Sequence, residues 1–160
     1  MGFWRTALDG QGNYTVGVAF GSRILALDVG KRRIGVAVSD GLGITAQGLA
    51  TLERQNRGAD LSALRGLAEQ YEIRLWLVGL PLHMSGEEGR AAREVRQWGT
   101  LLERSTKVPV AYWDERLTTV EAERVLRSAS STLLQRRRAV DKMSAVILLQ
   151  SYLDSQSQLL

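Results

Sequence analysis

ILALDVGKRRIGVAVSD, residues 24–40, reads as two β-strands joined by a tight basic turn. The first strand, Ile24–Val29, is almost continuously apolar, as a strand covered on both faces must be. The second, Ile34–Ser39, is again apolar and carries the β-branched residues that suit a pleated surface. Gly30 supplies the turn, and Lys31, Arg32 and Arg33 place three cations beside Asp28. An aspartate near the end of a buried strand is costly unless a cation or a metal offsets it. It serves either as a structural partner of a turn arginine or as a ligand.

Working outward, residues 1–22 are Gly-rich and weakly patterned, and they read as an N-terminal extension with a short strand at 16–20. A basic segment followed by an apolar one is not seen there, so no signal peptide is expected. Downstream, Ile44–Leu52 reads as a third, antiparallel strand. Asp60 then caps a helix with Leu61, Leu64, Leu67 and Ala68 on one stripe. Arg74–Gly79 is a fourth, buried strand. Glu87–Arg104 is a helix with Ala91, Val95, Trp98 and Leu102 on its core face. Val108–Trp113 is a fifth strand, Thr118 or Thr119 caps a third helix, and Val140–Leu153 is a last helix that packs deep. Residues 155–160 form a tail. The order β-β-β-α-β-α-β-α-α, with no linker, predicts one α/β domain over 23–154 with an antiparallel meander and a parallel extension.

The bulk composition narrows the chemistry. A net charge of +4 and a pI near 9.8 favour a polyanionic partner. The chain has no cysteine, which excludes disulfides, zinc–thiolate sites and thiol catalysis, and fits a reducing cytoplasm. A single histidine makes a His-rich metal site or a Ser-His-Asp triad hard to build. Any metal would rest on carboxylates, which suit Mg²⁺ or Mn²⁺. The apolar runs fall short of the roughly 20 residues that span a bilayer.

Three acids stand where an apolar element meets a loop: Asp28, Glu115 just past strand five, and Asp141 in the first turn expected of the last helix. Ends of neighbouring strands converge at one sheet edge, and a helix across that edge would bring Asp141 there. Converging carboxylates repel, and divalent cations relieve the repulsion. Two such ions about 3.5–4 Å apart serve phosphodiester hydrolysis. Taken singly, Asp141 also reads as an N-terminal helix charge and Glu115 as a partner of Arg116 or Arg124.

Four motifs in order carry a resemblance. They are Asp28-Val29-Gly30 with Arg33–Asp40, then Val78-Gly79-Leu80-Pro81-Leu82, then Asp114-Glu115-Arg116-Leu117-Thr118-Thr119, and last Arg136-Arg137-Arg138 with Asp141 and Ala145–Leu153. In that order the chain resembles the YqgF family, also called RuvX, of Holliday junction resolvase-like proteins. The resemblance implies an RNase H-like fold: a mixed five-stranded sheet, order 3-2-1-4-5, flanked by helices. It implies a metal-dependent nuclease acting in 5′-end maturation of precursor 16S rRNA, or alternatively resolving branched DNA. It also implies Asp28, Glu115 and Asp141 as catalytic and metal-binding acids. Lys31, Arg32, Arg33, Arg116, Arg137 and Arg138 would hold phosphates, with Arg90, Arg93, Thr118 and Thr119 as further contacts. Such a protein acts as a monomer or weak homodimer.

Two departures stand out. Related resolvases carry an acid after strand four, where this chain has Gly79-Leu80-Pro81-Leu82. The loop His83–Glu88 also differs from the family's usual run, and His83 reads as a surface residue. Asp40 and Asp114 read as supporting residues, and Trp113 as sheet packing or a base-stacking platform. The rival classes are an actin-like ATPase, for which a second domain and phosphate loop are missing, and a non-catalytic RNA-binding assembly factor, which would not need all three acids.

Overall fold

The computed structural model describes residues 7–8, 14–15, 23–117 and 133–157, with backbone only for 7–8, 14–15, 117 and 133–142. In chain order the elements are β1 (Ala7–Leu8), β2 (Tyr14–Thr15), β3 (Arg23–Val29), β4 (Arg33–Ser39), β5 (Ala46–Gly48) and β6 (Leu52–Glu53). Then come α1 (Arg57–Tyr71), β7 (Ile73–Leu80), α2 (Arg90–Thr106), β8 (Val110–Asp114), a 3₁₀ turn (Glu115–Leu117) and α3 (Leu133–Ser157). The short β1–β2 pair stands as its own antiparallel ladder. The expected strand at 16–20, the third helix and its caps at Thr118 or Thr119 lie outside the described residues.

β3 is the central strand. It pairs antiparallel with β4 and parallel with β7, and β8 extends the sheet in parallel, giving the order β5-β4-β3-β7-β8. This is the expected 3-2-1-4-5 path with one correction: the sheet has six strands. The segment read as one strand, Ile44–Leu52, is split into β5 and β6, both paired with β4. Gly48 opposes Ala37 while Leu52 opposes Ile34, so four steps on one strand answer three on the other. The extra residue is a β-bulge, which bends the edge strand away.

Strand alternation sorts the core into two layers. Leu25, Leu27, Val36, Trp76, Val78 and Leu80 face α1 and α2, where Leu64, Val95, Trp98 and Leu102 complete the layer. Ile24, Ala26, Ala37, Leu75, Leu77 and Ala111 face α3, against Ala145, Leu148, Leu149 and Tyr152. On α2 the buried alanine is Ala92; Ala91 shares the face of Trp98 and Leu102 but is exposed, at the edge of an open cavity.

Two helix starts also differ from expectation. Asn56, not Asp60, caps α1, its side chain accepting from the Ala59 N–H at 2.9 Å. Asp60 is instead buried in the first turn, where it accepts from Arg54 Nε at 3.2 Å and from the Gln55 N–H at 3.0 Å. α3 begins at Leu133, seven residues before the expected start. Arg136, Arg137 and Arg138 are therefore within the helix, and Asp141 lies in its third turn rather than its first. That position is beyond the reach of the helix N-terminal dipole, which fades within the first turn.

Candidate active site

Period-two alternation fixes which side chains meet at the C-terminal edge of the sheet. Asp28 follows Ala26 on the α3 face of β3, Gly79 follows Leu77 on β7, and Glu115 follows Trp113 past the end of β8. Asp28 pairs with Gly35 on β4. On the other side, Leu27 pairs with Val78, which sets Asp28 beside Gly79. Asp28 is thus flanked across the sheet by two glycines, which leave a clearing directly beside it on the sheet surface.

Glu115 occupies part of that clearing. A Cβ placed on Gly79 would come 2.6 Å from Glu115 Oε1 and 3.0 Å from its Cγ. The glutamate arm therefore lies directly over Gly79 and reaches across β7 to Asp28, with which its carboxyl hydrogen-bonds. Burial, the Asp28 charge, this hydrogen bond and the charge of Asp114 push Glu115 up to about 8. Two carboxyls this close relieve their repulsion by sharing a proton or by holding a cation between them.

This geometry answers the departure at strand four. No acid follows β7, and a longer acid from the next strand spans the gap because Gly79 leaves it room. Gly79 was missed as a functional residue in the sequence. The available signal was a glycine inside an apolar strand, which marks a close approach by another group.

The turn that carries Glu115 is braced on both sides. Arg116 does not pair with Glu115 but with Asp114, through Nε at 2.9 Å and Nη2 at 2.6 Å, and its own N–H donates to Asp114 Oδ1 at 2.9 Å. The guanidinium holds the Asp114 carboxyl below the usual range. Arg116 Nη1 also donates to the Met84 carbonyl at 3.2 Å, tying the loop after β7 to the turn. Asp40 likewise supports a turn, accepting from the Ile44 N–H at 2.8 Å. Trp113 packs edge-on against Tyr152 with ring centroids 5.4 Å apart, so it is a sheet-packing residue.

Lys31 and Arg32 stand exposed on the β3–β4 turn, while Arg33 leans on Glu53 at 3.7 Å. Arg90 pairs with Glu94 and Arg93 reaches the Glu88 carbonyl. His83 is exposed in the loop after β7. Thr118 and Thr119 lie outside the described residues, as do the side chains of Arg137, Arg138 and Asp141. By backbone position Asp141 is one helical turn ahead of Ala145, the buried residue that seats α3 on the Asp28 face of the sheet. Among the described residues no group of three potential metal ligands is assembled.

The family model described as "RuvX: Holliday junction resolvase" matches residues 22–155. The chain belongs to the RuvX (YqgF) family. A RuvX relative from Koribacter versatilis, named "Putative pre-16S rRNA nuclease", is 54% identical over 132 residues, covering 82% of this chain and 86% of its own. A relative of the same name from Heliobacterium modesticaldum is 47% identical over 137 residues, covering 86% and 92%. Among solved structures, Thermus thermophilus RuvC in complex with a Holliday junction substrate aligns with a TM-score of 0.54 at 12% identity, over 85% of this chain and 96% of that one. The fowlpox virus resolvase bound to Holliday junction DNA gives 0.52 at 12%, over 84% and 98%. At such identities the likeness is one of fold, and the fold is RNase H-like. Among the described residues no helix is long and apolar enough to cross a membrane.

Proposed function

We propose that this RuvX protein is a divalent-metal-dependent nuclease that hydrolyses phosphodiester bonds of RNA, in the 5′-end maturation of precursor 16S rRNA. The observation that carries this reading is the Asp28–Glu115 pair: two partly buried carboxyls, from either side of β7, held together over Gly79. Two partly buried carboxyls this close repel each other, and a divalent cation between them relieves that repulsion.

The donor set fits such an ion. Carboxylate oxygens suit Mg²⁺ or Mn²⁺, and the glycine-flanked clearing leaves space beside Asp28. Asp28 and Glu115 would hold the metal, and Asp141, on the helix that covers this face, would complete the set. A metal held there would supply an activated water and charge stabilisation for the leaving oxygen. The protein's own part is to fix the acids, through the β3 backbone for Asp28 and the Arg116–Asp114 brace for Glu115. Lys31 and Arg32 on the adjacent turn, with Arg137 and Arg138, would hold the phosphates on either side of the cut. Arg116, engaged with Asp114 and Met84, serves the turn first. One such site per chain suffices to trim an RNA end, so a monomer is enough.

The relatives' name favours RNA, and the family description keeps a four-way DNA junction as the second reading. A side-by-side assay separates them. Wild type and Asp28→Asn are incubated with a precursor rRNA 5′ leader and a four-way DNA junction, with Mg²⁺, Mn²⁺ or chelator. RNA cleavage that needs both metal and Asp28 is the expected result. Paired nicks on the junction alone would transfer the assignment to resolution, and cleavage that survives Asp28→Asn would remove the metal centre.

A further inference from the structure

A cavity of about 230 Å³ opens on the other side of β3 from the acids, between the β3–β4 turn and α2. Its apolar walls are Val29, Pro81, Val95 and Trp98, and its polar groups are Lys31, Arg54 and Glu94. Val29 is the residue after Asp28, and Pro81 follows Leu80, which pairs with Asp114 beside Glu115. The cavity and the acids thus sit on opposite faces of the same strand ends, separated by the thickness of the sheet edge.

Three observations describe what would fill it. Trp98 is 7% exposed and lines the cavity as a packed aromatic wall, with its indole N–H buried away from the opening. Arg54 is fixed in place: its Nη1 donates to the Gly30 carbonyl at 2.8 Å and its Nε to the buried Asp60 at 3.2 Å. This gives a cation with a set direction at the cavity rim. Glu94 brings a carboxylate, one oxygen of which accepts from Arg90 at 2.9 Å. A carboxylate has about four acceptor sites, so others remain for a ligand.

We propose that this cavity is a pocket for one nucleobase, guanine, belonging to a nucleotide that flanks the one cleaved. The inference rests on the nuclease reading and adds to it a base preference. Apolar walls take the faces of a flat ring, as in pockets that receive splayed bases of single-stranded RNA. The ring edge then meets donors and one carboxylate. Guanine alone among the four bases presents two adjacent donors, N1–H and the N2 amine, for a carboxylate. It also presents acceptors at O6 and N7 for Arg54 or Lys31. Lys31, at the mouth, is placed for the phosphate that leads over the Gly30 turn towards Asp28.

The test reads binding without cleavage. Metal-free protein labelled with nitrogen-15 gives one indole signal per tryptophan, and the signal missing in Trp98→Phe assigns Trp98. Each nucleoside 5′-monophosphate is then titrated in, with ribose 5-phosphate as control. Guanosine monophosphate is expected to move the Trp98 signal, and the other three to move it far less. Glu94→Gln is expected to weaken guanosine monophosphate binding by about 10-fold, the size of one charge-assisted hydrogen bond. An unmoved Trp98 signal, or equal movement with all four nucleotides or with ribose phosphate, would overturn the proposal. Loss of the nuclease reading in the cleavage assay, with guanosine-selective shifts intact, would leave the pocket standing as a nucleotide site. Metal- and Asp28-dependent cleavage without the shifts would leave the nuclease and remove the pocket.

Discussion

Replacing Glu115 by glutamine is expected to stabilise the metal-free protein at alkaline pH, although it removes a residue of the proposed active centre. Glu115 is raised from its ordinary 4.5 to about 8 by burial and by Asp28. A carboxyl raised in the folded state binds its proton more tightly there than in the unfolded chain. Its contribution to stability is therefore lost progressively as pH rises from about 4.5 through about 8. At about 1.4 kcal/mol for each factor of ten in proton affinity, the ceiling is roughly 5 kcal/mol. Asp28 is partly exposed and can relax towards water, so about half of that, ~2 kcal/mol, is expected.

Glutamine has the same length, needs no proton and still donates to Asp28, so it escapes the loss. In a chain of this size ~2 kcal/mol is roughly 4–8 °C in Tm. Thermal melts in chelator should give nearly equal Tm values for wild type and Glu115→Gln at pH 5, with the variant higher by that amount at pH 8.5. Added Mn²⁺ should raise the wild type and reverse the order. A gap independent of pH, or a variant less stable at pH 8.5, would refute the shared proton and with it the close approach of Glu115 to Asp28.

Other outcomes follow from the same geometry. Gly79→Ala puts a Cβ 2.6 Å from Glu115 Oε1; it should fold, with a stability loss from overpacking of roughly 1–3 kcal/mol, while cleavage falls by a far larger factor, read as kcat against melting temperature. Arg116→Lys loses the two-pronged grip on Asp114 and the tie to Met84; kcat should fall about 10-fold, the weight of one charge-assisted contact, with RNA affinity changed less. Affinity for RNA should drop steeply between 50 and 200 mM salt, since phosphate contacts release counterions; a flat response in a filter-binding assay would remove the basic face from the mechanism.

Much of the fold was legible because single strands and stripes carry it. The unbroken apolar run of Ile24–Val29 marks a central strand, and Val95, Trp98 and Leu102 keep helical spacing. What was misread needed information from a second element. Whether Ala91 or Ala92 is buried turns on what packs over the first turn of α2, and Ala91 meets an open cavity there. Asp60 has the chemistry of a cap, but Arg54 offers it a buried ion pair and Asn56 takes the cap. The bulge after Gly48 depends on the β4 register, which local sequence does not encode.

The site divides in the same way. Asp28 and Glu115 could be picked as acids at strand ends, and the family motifs named both. That Glu115 crosses β7 to meet Asp28 follows only from the register of three strands and from an empty position at Gly79. The pocket beside Trp98 was invisible for the same reason: its residues come from β3, the turns after β6 and β7, and α2, and none forms a motif.

The most direct measurement is a crystal structure of the protein grown with Mn²⁺, with anomalous scattering used to locate the ion. An anomalous peak within bonding distance of the Asp28 and Glu115 carboxylates over Gly79, with Asp141 as a further ligand, is the predicted result. No peak there at saturating Mn²⁺, with Glu115 still hydrogen-bonded to Asp28, would contradict the metal centre.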